Sequence, residues 1–248
     1  MDIIVCISSV PDTTSKINFS EDKSEFDSTG IQFVINPYDE FGLTKAIMLK
    51  EAFKGKVKVI TVGDISVEPV IRKALAIGAD EAIRINMNPQ DSYSTATEIA
   101  NYLNHNPADL IITGRESIDY NGGAVGGMIA EIINIPFINA CNGLTINDKT
   151  AELKREIDGG TENISIQLPI VIAGQKGLVE ESELMIPNMR GIMQARTKPL
   201  QIIEPSNVTS LTNSCSFEKP PEKAACKIVS SENIEELVNL LQNDAKVI

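Results

Sequence analysis

The stretch DLIITGRESIDYNGGAVGG, residues 109–127, decides how this chain folds. It begins with a short apolar, β-branched run at residues 110–113, typical of a strand that is buried on both faces of a sheet. Gly114 ends this strand, and a polar turn follows. Two glycine pairs, at 122–123 and 126–127, then precede a pattern that becomes helical.

A strand, a turn and a glycine-rich helix start together favour the binding of phosphate. Free N–H groups at a helix N-terminus attract an anion, and glycine lets the backbone approach a ligand closely. The alternative is that the glycines only allow the helix to pack close to the sheet. The stretch contains neither G-x-G-x-x-G nor G-x-x-x-x-G-K-[ST], so its residues alone leave both interpretations open.

The composition excludes several classes of function. The chain of 248 residues is long enough for one large or two small domains, and its net charge is -12. Nucleic acids and anionic membranes both select basic surfaces, so neither is an expected partner. No segment approaches the roughly 20 apolar residues of a membrane span. No signal peptide is recognisable, and we expect a cytoplasmic protein.

Side chains for acid–base or nucleophilic catalysis are scarce. His105 is the only histidine and lies in a polar loop. Cys6, Cys141, Cys215 and Cys226 have no C-x-x-C spacing, so reduced thiols are expected and a zinc site is not. Cys6 falls in an apolar strand, where a core role is the simplest interpretation.

Strands and helices alternate in the first part of the chain. Strands are predicted at 3–7, 57–62, 81–85 and 110–113, and each precedes a polar or helical segment. This alternation predicts a parallel sheet with right-handed crossovers. Ligands of such sheets bind at the carboxyl ends of the strands.

The pattern changes after Pro136. Several extended pieces within residues 137–173 predict antiparallel strands added to the edge of the sheet. Residues 204–225, called the arm below, are rich in Pro, Ser and Asn and lack periodicity. The chain therefore divides into a nucleotide-binding α/β domain, 1–199, and a C-terminal arm with a final helix, 200–248. That second part docks either on another chain or on its own core.

Several segments, in order, resemble one family, the beta (small) subunits of electron transfer flavoproteins. The matching segments are VPDTTSKI at 10–17, INPYDEFGLTKAIMLKE at 35–51, ALAIGADEAIRI at 74–85, ITGRESID at 112–119, REIDGGTE at 155–162, LP at 168–169, IMQARTKP at 192–199 and KPPEKAACKI at 219–228. Together they cover nearly the whole chain. The resemblance implies a Rossmann-like, adenine-nucleotide-binding α/β fold.

The resemblance also implies an electron carrier rather than an enzyme. In this family the alpha subunit holds a redox-active FAD, and the beta subunit packs against it. The beta subunit carries its own nucleotide, which is AMP in the housekeeping type and a second FAD in the electron-bifurcating type. Implied partners are the alpha subunit, acyl-CoA or other dehydrogenases, and a membrane quinone oxidoreductase. A stand-alone nucleotide-binding α/β protein is the alternative from another class.

The implied nucleotide contacts come from four parts of the chain. By resemblance they are Cys6, Asn36, Pro37, Tyr38, Asp39, Val62, Gly114, Arg115, Glu116, Ser117, Ile118, Asp119, Tyr120, Asn121, Gly122, Gly123, Ala124 and Val125. The side chain of Asn36 can offer a donor and an acceptor to an adenine or ribose edge, or it can simply begin a helix. Family members often carry Gln where Ala124 stands and polar residues in place of the preceding glycine pair. The identity of the nucleotide therefore stays open.

The family also has a loop that docks dehydrogenases, and Met189 takes the place of its apolar anchor. Methionine is flexible and polarizable, which suits a surface that binds several partners. The spacing alone favours another interpretation, in which Met185, Met189 and Met193 form one buried helical stripe.

Overall fold

The computed structural model describes residues 1–223 and 225–248, so Ala224, within the matching segment 219–228, lies outside the described residues. The first half of the chain alternates strands and helices, as predicted. Its elements are β1 (Asp2–Cys6), β2 (Ser9–Pro11), β3 (Asn18–Phe19), β4 (Phe26–Asp27), β5 (Phe33–Ile35), α1 (Pro37–Phe53), β6 (Lys56–Val62), α2 (Glu68–Ile77), β7 (Glu81–Ile85), α3 (Ser92–His105), β8 (Leu110–Gly114) and α4 (Val125–Ile132).

The second half is richer in strands. Its elements are β9 (Phe137–Asn147), β10 (Thr150–Ile157), β11 (Gly160–Gln167), β12 (Ile170–Gly174), α5 (Met189–Ala195), β13 (Leu200–Ile203) and α6 (Ile234–Asn239). None of the helices in 1–223 and 225–248 is long and apolar enough to cross a membrane.

One large sheet organises these elements. Its strand order is β11-β10-β9-β12-β8-β1-β6-β7-β13. All neighbours from β9 to β13 in this order pair in parallel, and β10 and β11 add an antiparallel meander at one edge. The predicted fold class, a Rossmann-like parallel sheet with antiparallel additions, is confirmed.

The region 137–173 departs in part from its prediction. Only β10 and β11 are antiparallel additions, whereas β12 lies inside the sheet and pairs in parallel with β8. Strand β9 is continuous and pairs in parallel with β12 at its start and antiparallel with β10 further on. All five residues of β12 are buried because helices cover both of its sides.

Helices cover both faces of the sheet because side chains alternate along each strand. Val5 belongs to the core on one face, together with Leu43 of α1 and Ile71 of α2. Cys6 belongs to the core on the opposite face, together with Ile99 of α3 and residues of α4. This three-layer arrangement leaves the carboxyl edge of the sheet for the loops between the elements.

The C-terminal segment starts inside the sheet. Leu200–Ile203 forms the edge strand β13, which pairs in parallel with β7, so the chain leaves the sheet only at Glu204. Glu98 of α3, buried at 4% exposure, then accepts hydrogen bonds from the N–H and hydroxyl of Ser206 at 3.0 and 2.9 Å. The division of the chain at residue 199 stays a prediction.

A second attachment holds the arm further along. Asp91, which also caps α3, accepts from the N–H groups of Leu211 and Thr212 at 2.7 and 3.0 Å. The rings of Phe19 and Phe217 stack with their centroids 5.3 Å apart. The arm is therefore fixed to α3 and to the β3–β4 hairpin before α6 begins.

The two glycine pairs near α4 have different structural roles. A Cβ atom on Gly126 would lie 2.6 Å from Thr113 Oγ1 and 3.0 Å from the Phe137 ring, so α4 can pack this closely only with glycine there. A Cβ atom on Gly122 would meet no heavy atom within 4 Å. Close packing therefore explains Gly126, whereas a Cβ atom on Gly127 would make only ordinary contact with the Phe137 ring, and Gly122 borders open space.

We expect Gly126→Ala to destabilise the protein by about 1–3 kcal/mol, because overpacking forces the helix away from the sheet. Gly122→Ala is the matched control and should stay within about 0.5 kcal/mol of the unsubstituted protein. Urea unfolding of both variants measures the difference. Equal stability of the two variants would contradict the packing role of Gly126.

Candidate functional site

The strand order places a crevice between β1 and β8. The chain runs from β1 outward through β6 and β7, and then returns to the other side of β1 to form β8. Ligands of open α/β sheets bind at such a reversal, beyond the carboxyl ends of the strands. Cys6 and Gly114, both implied contacts, end these two strands.

The start of α1 lies directly over the end of β8. A Cβ atom on Gly114 would collide with Asp39 Oδ1 and would lie 2.9 Å from Tyr38 Cβ. On its other oxygen, Asp39 accepts from the N–H of Ser8 at 2.7 Å. The loop after β1, the first turn of α1 and the end of β8 are therefore joined at one carboxylate.

The side chain of Asn36 holds the loop that follows β8. Its Nδ2 donates to the carbonyl of Glu116 at 2.9 Å, and its Oδ1 accepts from the N–H of Ile118 at 3.3 Å. The residue is buried at 1% exposure. This geometry favours a role in shaping the loop over direct contact with an adenine or ribose edge.

Burial controls the charge of the two ionisable groups at the base of the crevice. Desolvation raises the pKa of Asp39 from 3.8 to about 7, against the opposing effect of hydrogen bonds from the Ser8 and Gly114 N–H groups and the Asn36 amide. Burial, and then the charge of Asp39, raises the pKa of the Cys6 thiol well above its ordinary value. Cys6 is therefore a neutral core thiol and not a nucleophile.

The loop between β8 and α4 presents unpaired backbone donors. Among the described residues, no oxygen accepts from the N–H groups of residues 123–127, called the amide run below, whereas Gly122 pairs with Ser117 in a β-bridge. Ala124 precedes α4 and supplies no side-chain cap. Consecutive free N–H groups at a helix start attract a phosphate or carboxylate.

Polar side chains in the same loop stabilise its turn. The carboxylate of Asp119 accepts from the hydroxyl of Ser117 and from the N–H of Tyr120. The N–H of Ser117 donates to the carbonyl of Gly122 at 3.0 Å, which brings the two sides of the loop together. The ring of Tyr120 is 68% exposed. Asp119 therefore serves the loop itself, through its bonds to Ser117 and Tyr120.

The remaining implied contacts lie around this loop. Pro37 is the first residue of α1, and Val62 ends β6 and belongs with Cys6 to the core beneath α3 and α4. Two cavities, of about 310 and 260 Å³, lie elsewhere, beside the arm and at the amino ends of β1 and β6, and no predicted nucleotide residue lines either.

Met189 lies apart from the crevice, at the start of α5. Its side chain is 76% exposed and that of Met193 is 69% exposed, whereas Met185 packs partly against the core. The prediction of a buried methionine stripe is therefore wrong.

Hydrogen bonds to backbone carbonyls attach α5 to α2. Arg72 of α2 donates to the carbonyl of Ala195 at 2.8 Å, and Lys198 donates to the carbonyl of Leu75 at 2.8 Å. These bonds hold the short helix against α2.

Sequence reasoning missed two residues at this edge. The backbone N–H of Ser8 donates to Asp39. Every residue except proline has such an N–H group, so the type of residue at position 8 does not reveal this role in the sequence. Gln175 follows β12 and accepts from the Arg115 guanidinium at 3.1 Å. The sequence pattern predicts residues 170–173 at the sheet edge, whereas the structure pairs β12 with β8, and this pairing brings Gln175 to Arg115.

No group of three or more His, Cys, Asp or Glu among the described residues could hold a metal ion.

The raised pKa of Asp39 makes a prediction about pH. Since the folded chain holds this proton up to about pH 7 and the unfolded chain releases it near pH 4, the contribution of Asp39 to stability falls as pH rises between these values. The slope is at most about 1.4 kcal/mol per pH unit. The unfolding free energy of the unsubstituted protein minus that of Asp39→Asn should therefore be larger at pH 5 than at pH 7.5.

Asp64→Asn provides the control for this measurement. Hydrogen bonds from Ser66 lower the pKa of Asp64, so it is ionised at both pH values and its effect on stability should not change. Urea unfolding at the two pH values gives both differences. A pH-independent effect of Asp39→Asn would show that the carboxylate is ionised throughout.

Comparisons with a family model and with individual relatives agree on one family. The family model described as "Electron transfer flavoprotein domain" matches residues 25–208. The chain is 35% identical to "Electron transfer flavoprotein subunit beta" of Bacillus subtilis, and the match covers 100% of both chains. It is 32% identical to the subunit of that name from Syntrophomonas wolfei, over 99% of this chain and 97% of the relative. It is 28% identical to that of Homo sapiens, over 99% and 98%. This chain belongs to the electron transfer flavoprotein family, among its beta subunits.

Proposed function

We propose that this chain is the nucleotide-carrying subunit of a two-subunit electron carrier and binds AMP in the crevice between β1 and β8. The observation that carries the proposal is the position of the amide run at the reversal of the strand order. The nucleotide contacts implied by the family resemblance fall at the same place. A phosphate there is bound by backbone donors that the fold leaves unpaired.

The residues of the crevice suit a nucleotide. The amide run offers hydrogen-bond donors to phosphate, and Gly122 leaves open space beside it. Cys6 and Val62, which end β1 and β6, bring buried apolar side chains to the same edge of the sheet. Asn36 binds the backbone of the loop after β8, and Asp39 binds the loop after β1. The N–H donors of the amide run therefore need little rearrangement when the ligand binds.

In this proposal the redox chemistry belongs to the partner's cofactor. The FAD would be held mainly by the alpha-type subunit, and its chemistry would be to take electrons from acyl-CoA or other dehydrogenases and deliver them towards a quinone oxidoreductase. This chain contributes binding and orientation. It completes the surface against which the flavin-carrying subunit packs, and it presents a surface to the dehydrogenases. Its location in the cytoplasm stays a prediction.

The C-terminal segment supplies a contact for the alpha-type subunit. The side chains of Ile234, Leu237 and Val238 on α6 are 65, 44 and 39% exposed. An exposed apolar stripe on a short helix is stable only when another surface covers it. Their exposure shows that the described part of this chain leaves these side chains uncovered. We assign the stripe to the partner subunit.

Co-expression with the alpha-type subunit, followed by extraction and chromatography of the bound nucleotides, tests the proposed function. We expect a heterodimer with one FAD and one AMP. Two FAD molecules per heterodimer would instead support the electron-bifurcating type, whose second flavin occupies the beta-subunit site. A colourless chain that neither pairs with a flavoprotein nor releases an adenine compound would overturn the proposal.

Met189 is the proposed anchor for the dehydrogenases. It projects from a helix that Arg72 and Lys198 hold to α2. Met193 and Ile186 are exposed beside it in the chain, at 69 and 83%. A fixed helix with flexible apolar side chains suits a surface that binds several partners.

We expect Met189→Ala to slow the reduction of the heterodimer by a dehydrogenase about fivefold or more, which corresponds to about 1 kcal/mol at an interface anchor. The FAD content should not change, since Met189 lies outside the crevice. Ile65→Ala is the matched control, because Ile65 is 72% exposed and precedes α2 at its other end. Stopped-flow reduction measures both variants. An unchanged rate for Met189→Ala would remove the docking role.

A further inference from the structure

The sequence contains two Asn-Gly pairs, Asn121-Gly122 and Asn142-Gly143, and they lie in different surroundings. In such a pair the backbone nitrogen of the glycine follows the asparagine directly, and no Cβ atom shields it. This nitrogen and the side-chain amide belong to the same chain, so they can react without an encounter between molecules. Asparagine is one of the thermolabile residues, and its neighbours decide how readily it reacts.

The pair Asn121-Gly122 lies in the loop between β8 and α4. Asn121 is exposed, and its φ of 51° is in the left-handed region. Gly122 pairs with Ser117 only in an isolated β-bridge, and a Cβ atom on Gly122 would meet no heavy atom within 4 Å. A single bridge in a surface loop opens at a small cost in free energy. The backbone at Gly122 can therefore turn until its nitrogen reaches the Asn121 amide.

The pair Asn142-Gly143 lies within strand β9. Gly143 pairs with Lys154 in the ladder between β9 and β10, and a Cβ atom on Gly143 would lie 3.0 Å from Lys154 Cβ. The amide of Asn142 donates from Nδ2 to Glu156 at 3.3 Å, and its Oδ1 atom is buried. Attack by the Gly143 nitrogen would require the sheet to open. The two pairs have the same local sequence, and only the fold distinguishes them.

The reaction at Asn121 needs no reagent except water. The Gly122 nitrogen loses its proton and forms a bond to Cγ of Asn121. The bond from Cγ to the side-chain nitrogen breaks, and ammonia leaves with that proton, which gives a cyclic imide. Water then opens the imide at either carbonyl, and the product is an aspartate or an isoaspartate. No atom is oxidised or reduced, and the chain gains a carboxylate.

The new carboxylate would lie close to the amide run. Since consecutive Cα atoms are 3.8 Å apart, those of Asn121 and Gly123 are at most about 7.6 Å apart. A negative charge at this distance repels a phosphate bound by the amide run. In the isoaspartate product the backbone is also longer by one methylene group, which alters the loop.

We propose that Asn121 is a deamidation site, and that the carboxylate formed there lowers the affinity of the nucleotide site for phosphate. The modification itself depends only on this chain and on water. Its effect on a ligand rests on the proposed function, because the anion is the phosphate of AMP. Asn142 keeps its amide under the same conditions.

Peptide mass spectrometry of the full chain, after incubation in mildly alkaline buffer, tests the modification. The conversion of an amide to an acid changes the mass of each peptide, so the two pairs are measured in one sample. We expect Asn121 to convert at least about tenfold faster than Asn142, because a loop opens more readily than a sheet. Gly122→Ala should slow the conversion of Asn121 about tenfold, since a Cβ atom shields the nitrogen and restricts its backbone. Equal rates at the two pairs, or an unchanged rate in Gly122→Ala, would overturn the assignment of the site.

Asn121→Asp tests the effect on the ligand. Aspartate tolerates the left-handed conformation as asparagine does, so the variant reproduces one product without changing the fold. Isothermal titration of the heterodimer, after its nucleotide has been removed, compares AMP with adenosine, which lacks the phosphate. We expect AMP to bind about tenfold more weakly and adenosine to stay within about twofold, because the added charge acts on the phosphate.

Asn134→Asp is the matched control. Asn134 is also exposed and left-handed, with a φ of 55°, and it follows the other end of α4. The eight residues of α4 separate it from the amide run by about 12 Å, so both affinities should stay unchanged.

The outcomes separate the inference from the proposed function. Unchanged AMP affinity in Asn121→Asp, or an equal loss of AMP and adenosine, would overturn the effect on phosphate while the unsubstituted heterodimer still binds AMP. An unsubstituted heterodimer that binds neither compound would overturn the proposed nucleotide site. The mass measurement would still decide whether Asn121 is the modified residue.

Discussion

A single buried carboxylate joins the segments that meet at the carboxyl edge of the sheet. Asp39 comes from the first turn of α1, binds the N–H of Ser8 after β1 and lies against Gly114 at the end of β8. Burying this carboxyl group costs free energy, which the surrounding N–H donors and the N-terminal end of α1 offset only in part, so its pKa stays raised. Any side chain at position 114 would displace the carboxylate, so the loop that follows β8 depends on this contact.

That loop is then held from two sides. Asn36 binds its backbone at Glu116 and Ile118, and the N–H of Arg115 binds the carbonyl of Gly174 on β12. Within the described residues, the N–H groups of the amide run are left without an acceptor. A site built from fixed backbone donors binds an anion with little loss of entropy but offers no acid, base or nucleophile. This suits a subunit that carries a nucleotide and leaves the redox chemistry to its partner.

Polar bonds also hold two exposed apolar surfaces, those of α5 and α6, on rigid parts of the fold. Helix α5 has only seven residues, yet side-chain bonds from Arg72 and Lys198 to backbone carbonyls hold it on α2 while Met189 faces outward. The arm is attached to α3 through Asp91 and Glu98 before the apolar side chains of α6 become exposed. In both cases polar bonds to rigid elements fix the direction of an apolar surface, and the surface itself stays uncovered.

The sequence by itself determined the parallel strands up to Gly114, the edge at which their carboxyl ends meet, and the loop at residues 114–125, because hydrophobic period and glycine position are local signals. Residues 170–174 show why the rest needed the tertiary structure. A short apolar run does not reveal its neighbour, and only the packed sheet inserts β12 beside β8 and brings Gln175 to Arg115. Likewise, the amide of Asn36 could serve a ligand or simply begin a helix, and the structure instead uses it to hold the loop after β8. The glycine pairs could serve binding or packing. Contacts between residues distant in sequence decided each case, since burial and hydrogen-bond partners are properties of the folded chain.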